Sequence, residues 1–355
     1  MSRWRIRLSV PLVGMALALG LAVTAGLVSL AVKGLVQDEE ASFGIEVGAV
    51  KDTLVQRLTS VDEMLHGMRL LFDASKSMDA DAFQVVGNDA LTTNSLAKEV
   101  MYLPRITGDE RNAFERSKHG EGYPSFRISN RRNGEYVPAD RHEQHFPIVF
   151  FEPFTPLTSK RLGLDLLSEA DTRTFVQRAI DTGLATAAID AGVASADEYL
   201  VLQAVYADKP KPGLDAVIER RQLVSGVVAV KVDASRLLET SRPMKSGMSV
   251  VVCARPALDP QSCVTLAQQA PSEAESTGHW IFATLTRNRD VAIGAQRFVV
   301  RFRQDLHWQH LKLRSLLFAL LAGGIFTTML VSLARSIRAR SEDLQRRNAD
   351  IQQVV

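Results

Sequence analysis

Histidine pairs are the first candidates for chemistry in this sequence, because imidazole is both a metal ligand and a general base. His142 and His145 flank Glu143 at a spacing of three, and His307 and His310 repeat that spacing. The first pair adjoins a predicted strand, so we expect a solvated loop there rather than a metal-binding helix. The second pair lies beside a membrane segment and is expected to be structural. We predict no metal site.

The two cysteines of the chain are the next reactive groups. Cys253 and Cys263 are separated by nine residues that are rich in turn formers. We predict a local disulfide between them in an exported domain, with two unpaired thiols in a strand and its loop as the alternative.

Local catalytic motifs are absent from the 355 residues. The sequence contains no phosphate loop, zinc-protease motif, nucleophile elbow or kinase signature. We therefore predict no catalytic residue and no cofactor. The net charge of +2 does not favour a nucleic-acid partner. A composition of 46% hydrophobic and 23% charged residues is typical of a chain with folded cores.

Two long uncharged segments predict membrane helices. Residues 8–32 carry no charge and follow Arg3, Arg5 and Arg7, and residues 315–334 lie between two arginines. Each segment is long enough to cross a hydrocarbon core of ~30 Å at ~1.5 Å per residue. The first exceeds the ~7–15 apolar residues of a cleavable signal peptide, so we expect it to remain as an uncleaved helix.

The distribution of charge predicts the membrane topology. The segments outside residues 33–314 carry eight arginines and three acidic residues, which leaves 34 of the 42 basic and 37 of the 40 acidic residues between them. By the positive-inside rule, residues 1–7 and 335–355 are cytoplasmic and residues 33–314 are periplasmic or extracellular. We predict a two-pass protein of the inner (plasma) membrane.

A stalk helix is predicted over residues 33–75. From Phe43 to Phe72, apolar residues recur at steps of three or four, which is the pattern of an amphipathic helix. Such a stripe either forms the seam of a dimer or covers the domain that follows it, and the sequence leaves both alternatives open.

Short helices and strands follow the stalk, so we predict an α+β fold with antiparallel sheets in two subdomains, residues 76–212 and 213–305. Strands are predicted over 145–154, 199–206, 223–232, 248–254, 280–285 and 297–303. The stretch 208–213 is rich in lysine and proline and is interpreted as the linker between the subdomains. In residues 297–303, Phe298, Val300 and Phe302 alternate with arginines, which indicates one solvated face.

The tail, residues 335–355, places Ile337, Leu344 and Ile351 seven apart. This heptad spacing predicts a short cytoplasmic coiled coil.

The exported segment resembles the CHASE family, the extracytoplasmic sensory domain attached to histidine kinases and nucleotide cyclases. The resemblance rests on several short motifs and covers about residues 61–304. The motifs are Leu103-Pro104-Arg105 with Arg111, Phe114 and Glu115; 123–128 (YPSFRI); 146–153 (FPIVFFEP); 162–168 (LGLDLLS) followed by Arg173 and Gly183; and 226–238.

The resemblance implies two PAS-like subdomains, of which the membrane-distal one holds a ligand pocket. Asp165 matches the aspartate that binds an adenine-type ligand in the plant cytokinin receptors, and backbone groups near Ala187 would be the next contact. From the residues alone, Asp165 could instead bond nearby backbone amides. Arg105 and Arg127 could anchor a carboxylate or form surface salt bridges.

These observations together predict the input module of a homodimeric transmembrane receptor. A small ligand, purine-like or a small carboxylate, would bind outside the membrane. The output domain would be a histidine kinase, a diguanylate cyclase or a phosphodiesterase beyond this chain. The alternative is a membrane-anchored scaffold domain that binds a protein partner and no small molecule.

Overall fold

The computed structural model describes most of the chain. The described residues are 9–74, 78–132, 134–156, 158–168, 170–189, 197–211, 213, 215–239, 247–255, 263–270, 281–307 and 314–353. The predicted cytoplasmic N-terminus, residues 1–7, and residues 308–313 before the second membrane segment lie outside them. Two compact units are formed, one by residues 1–45, 278–285 and 305–355 and the other by residues 46–277 and 286–304.

The described helices and strands follow one another in an α+β order, as predicted. The helices are α1 Ser9–Ala74, α2 Ala80–Thr93, α3 Arg111–Gly120, α4 Ala170–Thr182, α5 Ala216–Leu223 and α6 Arg314–Gln353. The strands are β1 Ala97–Pro104, β2 Ile106–Thr107, β3 Ser129–Arg132, β4 Glu135–Pro138, β5 Gln144–His145, β6 Phe150–Glu152, β7 Thr186–Ala188, β8 Glu198–Tyr206, β9 Val224–Asp233, β10 Met248–Arg255, β11 Val264–Gln269, β12 Ile281–Ile293 and β13 Gln296–His307.

Helix α1 is uninterrupted from the first membrane segment through the predicted stalk. Its apolar stripe is buried within the single chain. The buried positions of the stripe in the larger unit are Val47, Val50, Leu54, Leu58, Val61, Leu65 and Met68. The stripe therefore covers the domain that follows it, and the dimer seam stays a prediction.

The larger sheet is antiparallel, with the order β6-β1-β9-β8-β7. Strand β9 is its central strand and pairs with β1 on one side and β8 on the other. Its ten residues are buried apart from Ser225, because both faces of a central strand are covered. The sequence assigned 224–233 to the second subdomain, but the structure places this strand at the centre of the first sheet.

The predicted linker, 208–213, does not separate two sheets. Helix α5 follows it and returns the chain to β9, and the Ala207 amide donates to the Leu223 carbonyl at 2.8 Å. A polar, proline-containing stretch thus connects two neighbouring strands of one sheet.

The smaller sheet has the order β11-β10-β13-β12. Strand β13 has the predicted alternation, since Phe298, Val300 and Phe302 are buried and the intervening arginines 301 and 303 are exposed. The turn between β12 and β13 reaches the larger sheet, where the Ala295 amide donates to the Ala185 carbonyl at 3.0 Å.

The two membrane segments meet expectation in length and character. Helices α1 and α6 each contain an 18-residue window of mean hydropathy 2.2, and almost all of each window is exposed within the chain. Exposed apolar side chains such as Leu17, Leu21 and Phe318 suit contact with lipid acyl chains. Helix α6 continues through the tail to Gln353, so the predicted tail is helical, and its pairing as a coiled coil stays a prediction.

Small residues bring the two membrane helices close together. A Cβ atom added to Gly20 would lie 2.7 Å from Thr327, and one added to Gly323 would lie 2.5 Å from Thr24. The two threonine hydroxyls are 3.4 Å apart, and each also donates to the carbonyl four residues before it. Each helix therefore presents a glycine to the threonine of the other, a close approach typical of packing in lipid.

Candidate functional site

Residues 163–166 lie between two other segments of the domain that contains the larger sheet and form hydrogen bonds with both. The Gly163 amide donates to the Ile148 carbonyl at 2.8 Å, and the Asp165 amide donates to the Ser129 carbonyl at 2.9 Å. Gly163 has a φ of +83°, and a Cβ atom there would overlap the carbonyl of Arg127. Glycine is required because it alone fits this conformation and this approach.

In this position between two segments, the carboxylate of Asp165 is completely buried. Its Oδ1 accepts from the amides of Phe146 at 2.9 Å and Leu167 at 3.0 Å. Its Oδ2 lies 2.7 Å from Nδ1 of His145, which is also fully buried. Asp165 thus bonds nearby backbone amides, one of the two roles that the sequence left open, and in this conformation exposes no atom to solvent.

The histidine of this pair carries a nitrogen with no partner. An ionised carboxylate only accepts, so Nδ1 of His145 carries the proton and a neutral ring leaves Nε2 as an acceptor. Nε2 is buried and has no hydrogen-bond partner among the described residues. An unpaired buried polar atom costs about 1–3 kcal/mol. The expectation of a solvated loop fits the exposed His142 but is wrong for His145.

The pair resembles the aspartate and histidine of a hydrolytic triad only in part. A triad needs a nucleophile bonded to the second ring nitrogen, and here that nitrogen has no such partner. Within the described part of the chain, no group of three or more histidine, cysteine, aspartate or glutamate side chains is arranged to hold a metal ion. The arrangement is suited to holding a wall of the domain in place.

Residues 76–261 match the CHASE domain. The chain belongs to the CHASE-domain family. No curated protein matches the sequence. CHASE domains are extracytoplasmic sensory domains of membrane proteins, and in this chain two helices of membrane-spanning length flank the domain.

The predicted ligand residues of the CHASE domain occupy three different settings. Arg105 is half-buried and donates from Nε to the Gln144 side chain at 3.1 Å, next to the buried His145. Arg127 is exposed, and its carbonyl packs on Gly163. Both arginines therefore lie in segments that adjoin the Asp165 carboxylate.

Ala187 lies on strand β7 with its side chain toward helix α1. It lines a cavity of about 20 Å³ together with Asp62 and Tyr199, whereas its neighbour Ala188 packs in the core on the other face of the sheet. Such a volume holds one water molecule. Burial is the main cause of a raised pKa at Asp62, and the buried Tyr199 hydroxyl has no hydrogen-bond partner.

The two cysteines of the chain face one another as thiols at the end of the matched segment. Cys253 is buried in β10 opposite Thr265, and Cys263 is half-buried just before β11. Burial, followed by the Cys253 thiol, raises the pKa of Cys263 to about 11. The neighbouring positions suit the predicted disulfide, which stays a prediction.

The residue that the sequence interpretation missed is His145, the partner of Asp165. One sequence signal could have found it. His145 directly precedes the apolar run 146–151, and a polar residue that enters such a run is buried and needs a partner.

Proposed function

We propose that this chain is the input module of a homodimeric transmembrane receptor that senses a small ligand. The observation that carries the proposal is the CHASE match over residues 76–261 between two helices of membrane-spanning length. In the proposal the ligand binds the subdomain of the larger sheet, and the output domain follows residue 355 in a longer protein. That output is a histidine kinase, a diguanylate cyclase or a phosphodiesterase.

Helix α1 supports a direct mechanical link between ligand and membrane. It runs without interruption from Ser9 to Ala74, and its buried stripe packs within the domain. A displacement of the sheet against α1 would expose apolar side chains such as Leu58 and Leu65, so sheet and helix move together. A ligand shifts such an equilibrium only by binding one arrangement better than the other.

Asp165 is proposed as the ligand's anchor through exchange of partners. A ligand that carries N–H donors would replace Nδ1 of His145 at the Oδ2 atom, while Oδ1 keeps its two backbone amides. This exchange leaves the carboxylate satisfied in both states, as a buried charge requires. The backbone near Ala187 is the proposed second contact, and Arg105 or Arg127 would serve a ligand that carries a carboxylate.

The proposal is tested with the full chain in nanodiscs. Thermal shifts are measured against purines, amino acids and small carboxylates, and each hit is repeated with Asp165→Asn and with the exposed control Asp140→Asn. We expect a hit to raise the Tm by several degrees, because a ligand that binds only the folded state stabilises it by mass action. Asp165→Asn should remove the shift and Asp140→Asn should keep it.

Relay across the membrane needs its own measurement. In a Cys253→Ser, Cys263→Ser background, the cross-linking yield of Leu344→Cys in the tail reports pairing of two copies. A yield that changes with ligand supports the relay. If no compound shifts the Tm and the yield stays constant, small-molecule sensing is refuted and a protein partner becomes the better explanation.

A further inference from the structure

A second candidate site lies between strand β6 and the start of helix α2. It is a cavity of about 240 Å³. Half of the ten described residues that line it are aromatic, namely Phe83, Tyr123, Phe150, Phe151 and Phe154. No residue that lines the cavity is a hydrogen-bond partner of the Asp165 side chain, so the cavity is separate from that site.

Glu152 places a buried carboxylate in the wall of this cavity. The residue is only 6% exposed, and among the described residues its side chain accepts one hydrogen bond, from the Phe154 amide at 3.3 Å. Among the described residues no lysine, arginine or histidine lies within ion-pair distance of it. A buried carboxylate is costly unless a cation or several donors compensate it, and one long hydrogen bond compensates little.

The rings around Glu152 offer faces that attract positive charge. Phe83 stacks on Phe150 with centroids 5.5 Å apart, and Phe154 stacks on Phe151 at 5.0 Å. Phe154 is 55% exposed, so an apolar or cationic ligand could pack on this ring from the side that does not contact Phe151. Aromatic faces bind ammonium groups through their quadrupoles, more strongly where water is excluded.

One cation already uses this aromatic cluster. Nζ of Lys118 lies 5.4 Å from the centroid of Phe150. This lysine is neutralised by Glu121, whose carboxylate is 2.6 Å away and whose pKa is lowered first of all by that hydrogen bond. Among the described residues that line the cavity, the charged ones are Glu152 and Asp81, at the first turn of α2, and both are negative.

We infer that this cavity binds a small organic cation, a protonated amine or quaternary ammonium with an apolar body. Glu152 pairs with the positive charge, and the phenylalanine rings enclose the body. An anion is excluded by the two carboxylates, and a neutral apolar molecule leaves Glu152 without its missing partner.

The test compares a cation with a neutral molecule of the same size. Binding of 2-phenylethylammonium and of 2-phenylethanol is measured by titration calorimetry at pH 7, with the full chain in nanodiscs of neutral lipid and with empty nanodiscs as the blank. We expect the ammonium to bind at least tenfold more tightly than the alcohol. Equal affinities, or no binding of the ammonium, would overturn the inference.

Two variants and a matched control locate the site. Glu152→Gln keeps the shape and the acceptor for the Phe154 amide, so it should reduce the ammonium to the affinity of the alcohol. The exposed control Glu135→Gln should leave the tenfold ratio unchanged. Gln84→Trp, on the exposed side of α2, should fill the cavity and weaken both molecules, which keeps the inference testable if Glu152→Gln does not fold. A tenfold ratio that survives Glu152→Gln, or an affinity for the ammonium that is unchanged in Gln84→Trp, places the binding elsewhere and refutes this site.

Failure of this inference is distinguishable from failure of the proposed function. The calorimetric experiment uses no readout of signalling. If the ammonium binds in the cavity and the tail cross-link does not change, the cavity site is supported and the relay is refuted. If the chain responds to another ligand through Asp165 and does not bind the ammonium, the relay is supported and the cavity site is refuted.

Discussion

Replacing Asp165 by alanine should destabilise the local structure around residues 145–146 and 167, which bond to its carboxylate. The substitution removes the acceptor of three buried donors, the amides of Phe146 and Leu167 and Nδ1 of His145. A buried donor left without an acceptor costs about 1–3 kcal/mol. Because the three donors share one group their costs are not additive, so we expect a loss of about 3 kcal/mol or more.

The assay is hydrogen exchange by mass spectrometry on the full chain in nanodiscs. A local loss of about 3 kcal/mol corresponds to exchange roughly 150-fold faster at the amides of residues 146 and 167. Peptides from β10 to β13 serve as an internal reference, because the smaller sheet makes no bond to Asp165. The control Asp140→Ala removes a carboxylate whose side chain is 53% exposed and paired with Arg132, which should cost under about 1 kcal/mol.

The conservative variant Asp165→Asn separates charge from shape. The amide oxygen can keep the two backbone donors, but the NH2 group at the Oδ2 position faces Nδ1 of His145. His145 must then move its proton to Nε2, which lacks a partner among the described residues in both proteins. We expect an intermediate loss of about 1–3 kcal/mol, because the bond between Nδ1 and a charged carboxylate is replaced by a weaker bond to a neutral amide. The reasoning is refuted if exchange at residues 146 and 167 is no faster in Asp165→Ala than in Asp140→Ala.

Three further predictions follow from positions described above. Gly163→Ala should lower the Tm far more than Gly122→Ala. Both glycines have a positive φ, at which an alanine costs about 1–2 kcal/mol, but only at Gly163 would the added Cβ atom also overlap a carbonyl. Gly323→Leu should separate the membrane helices by spin-label distance measurement, whereas Gly26→Leu, with open space around it, should leave the distance unchanged. Alkylation of the reduced Cys263 should be roughly 100-fold slower at neutral pH than that of a thiol of pKa 9.0, since only the thiolate reacts. The rate should increase as the pH rises toward about 11. A rate that is constant between pH 7 and 10 would contradict the raised pKa.

Elements with a strong local pattern could be predicted from the sequence. The stripe from Phe43 onward indicated α1, and the alternation around Val300 indicated β13. In each case one face meets the core and the other meets water. Such a difference leaves a period in the sequence.

Elements defined by distant pairing could not be predicted in this way. The predicted strand 145–154 is regular only at His145 and over Phe150–Glu152, because residues 146–148 pair instead with the segment around Leu164. Strand β1, which was not predicted, contains Lys98 and Glu99 near its start. These charges are paired with Glu198 and Lys231 on other strands, a compensation that no local pattern records.

In the candidate site, too, some residues could be predicted from the sequence and others depend on pairing between distant segments. Asp165 could be identified because a family resemblance marked it. His145 was missed: its position before an apolar run signals burial, but its partner is a carboxylate twenty residues later in the chain. The aromatic cavity joins α2 to β6, and only the fold brings Phe83 to Glu152.

The reciprocal contact of the membrane helices restricts how they can move past one another. Gly20 faces Thr327 and Thr24 faces Gly323. A slide of one turn, about 5.4 Å, in one direction would bring Thr24 against Thr327 at a separation built for a glycine, and in the other would leave two glycines opposite each other around a void. Neither register packs as well as the present one. The contact therefore fixes the height of one helix against the other: a tilt about this level keeps the two glycine–threonine contacts, whereas a slide of one turn breaks both.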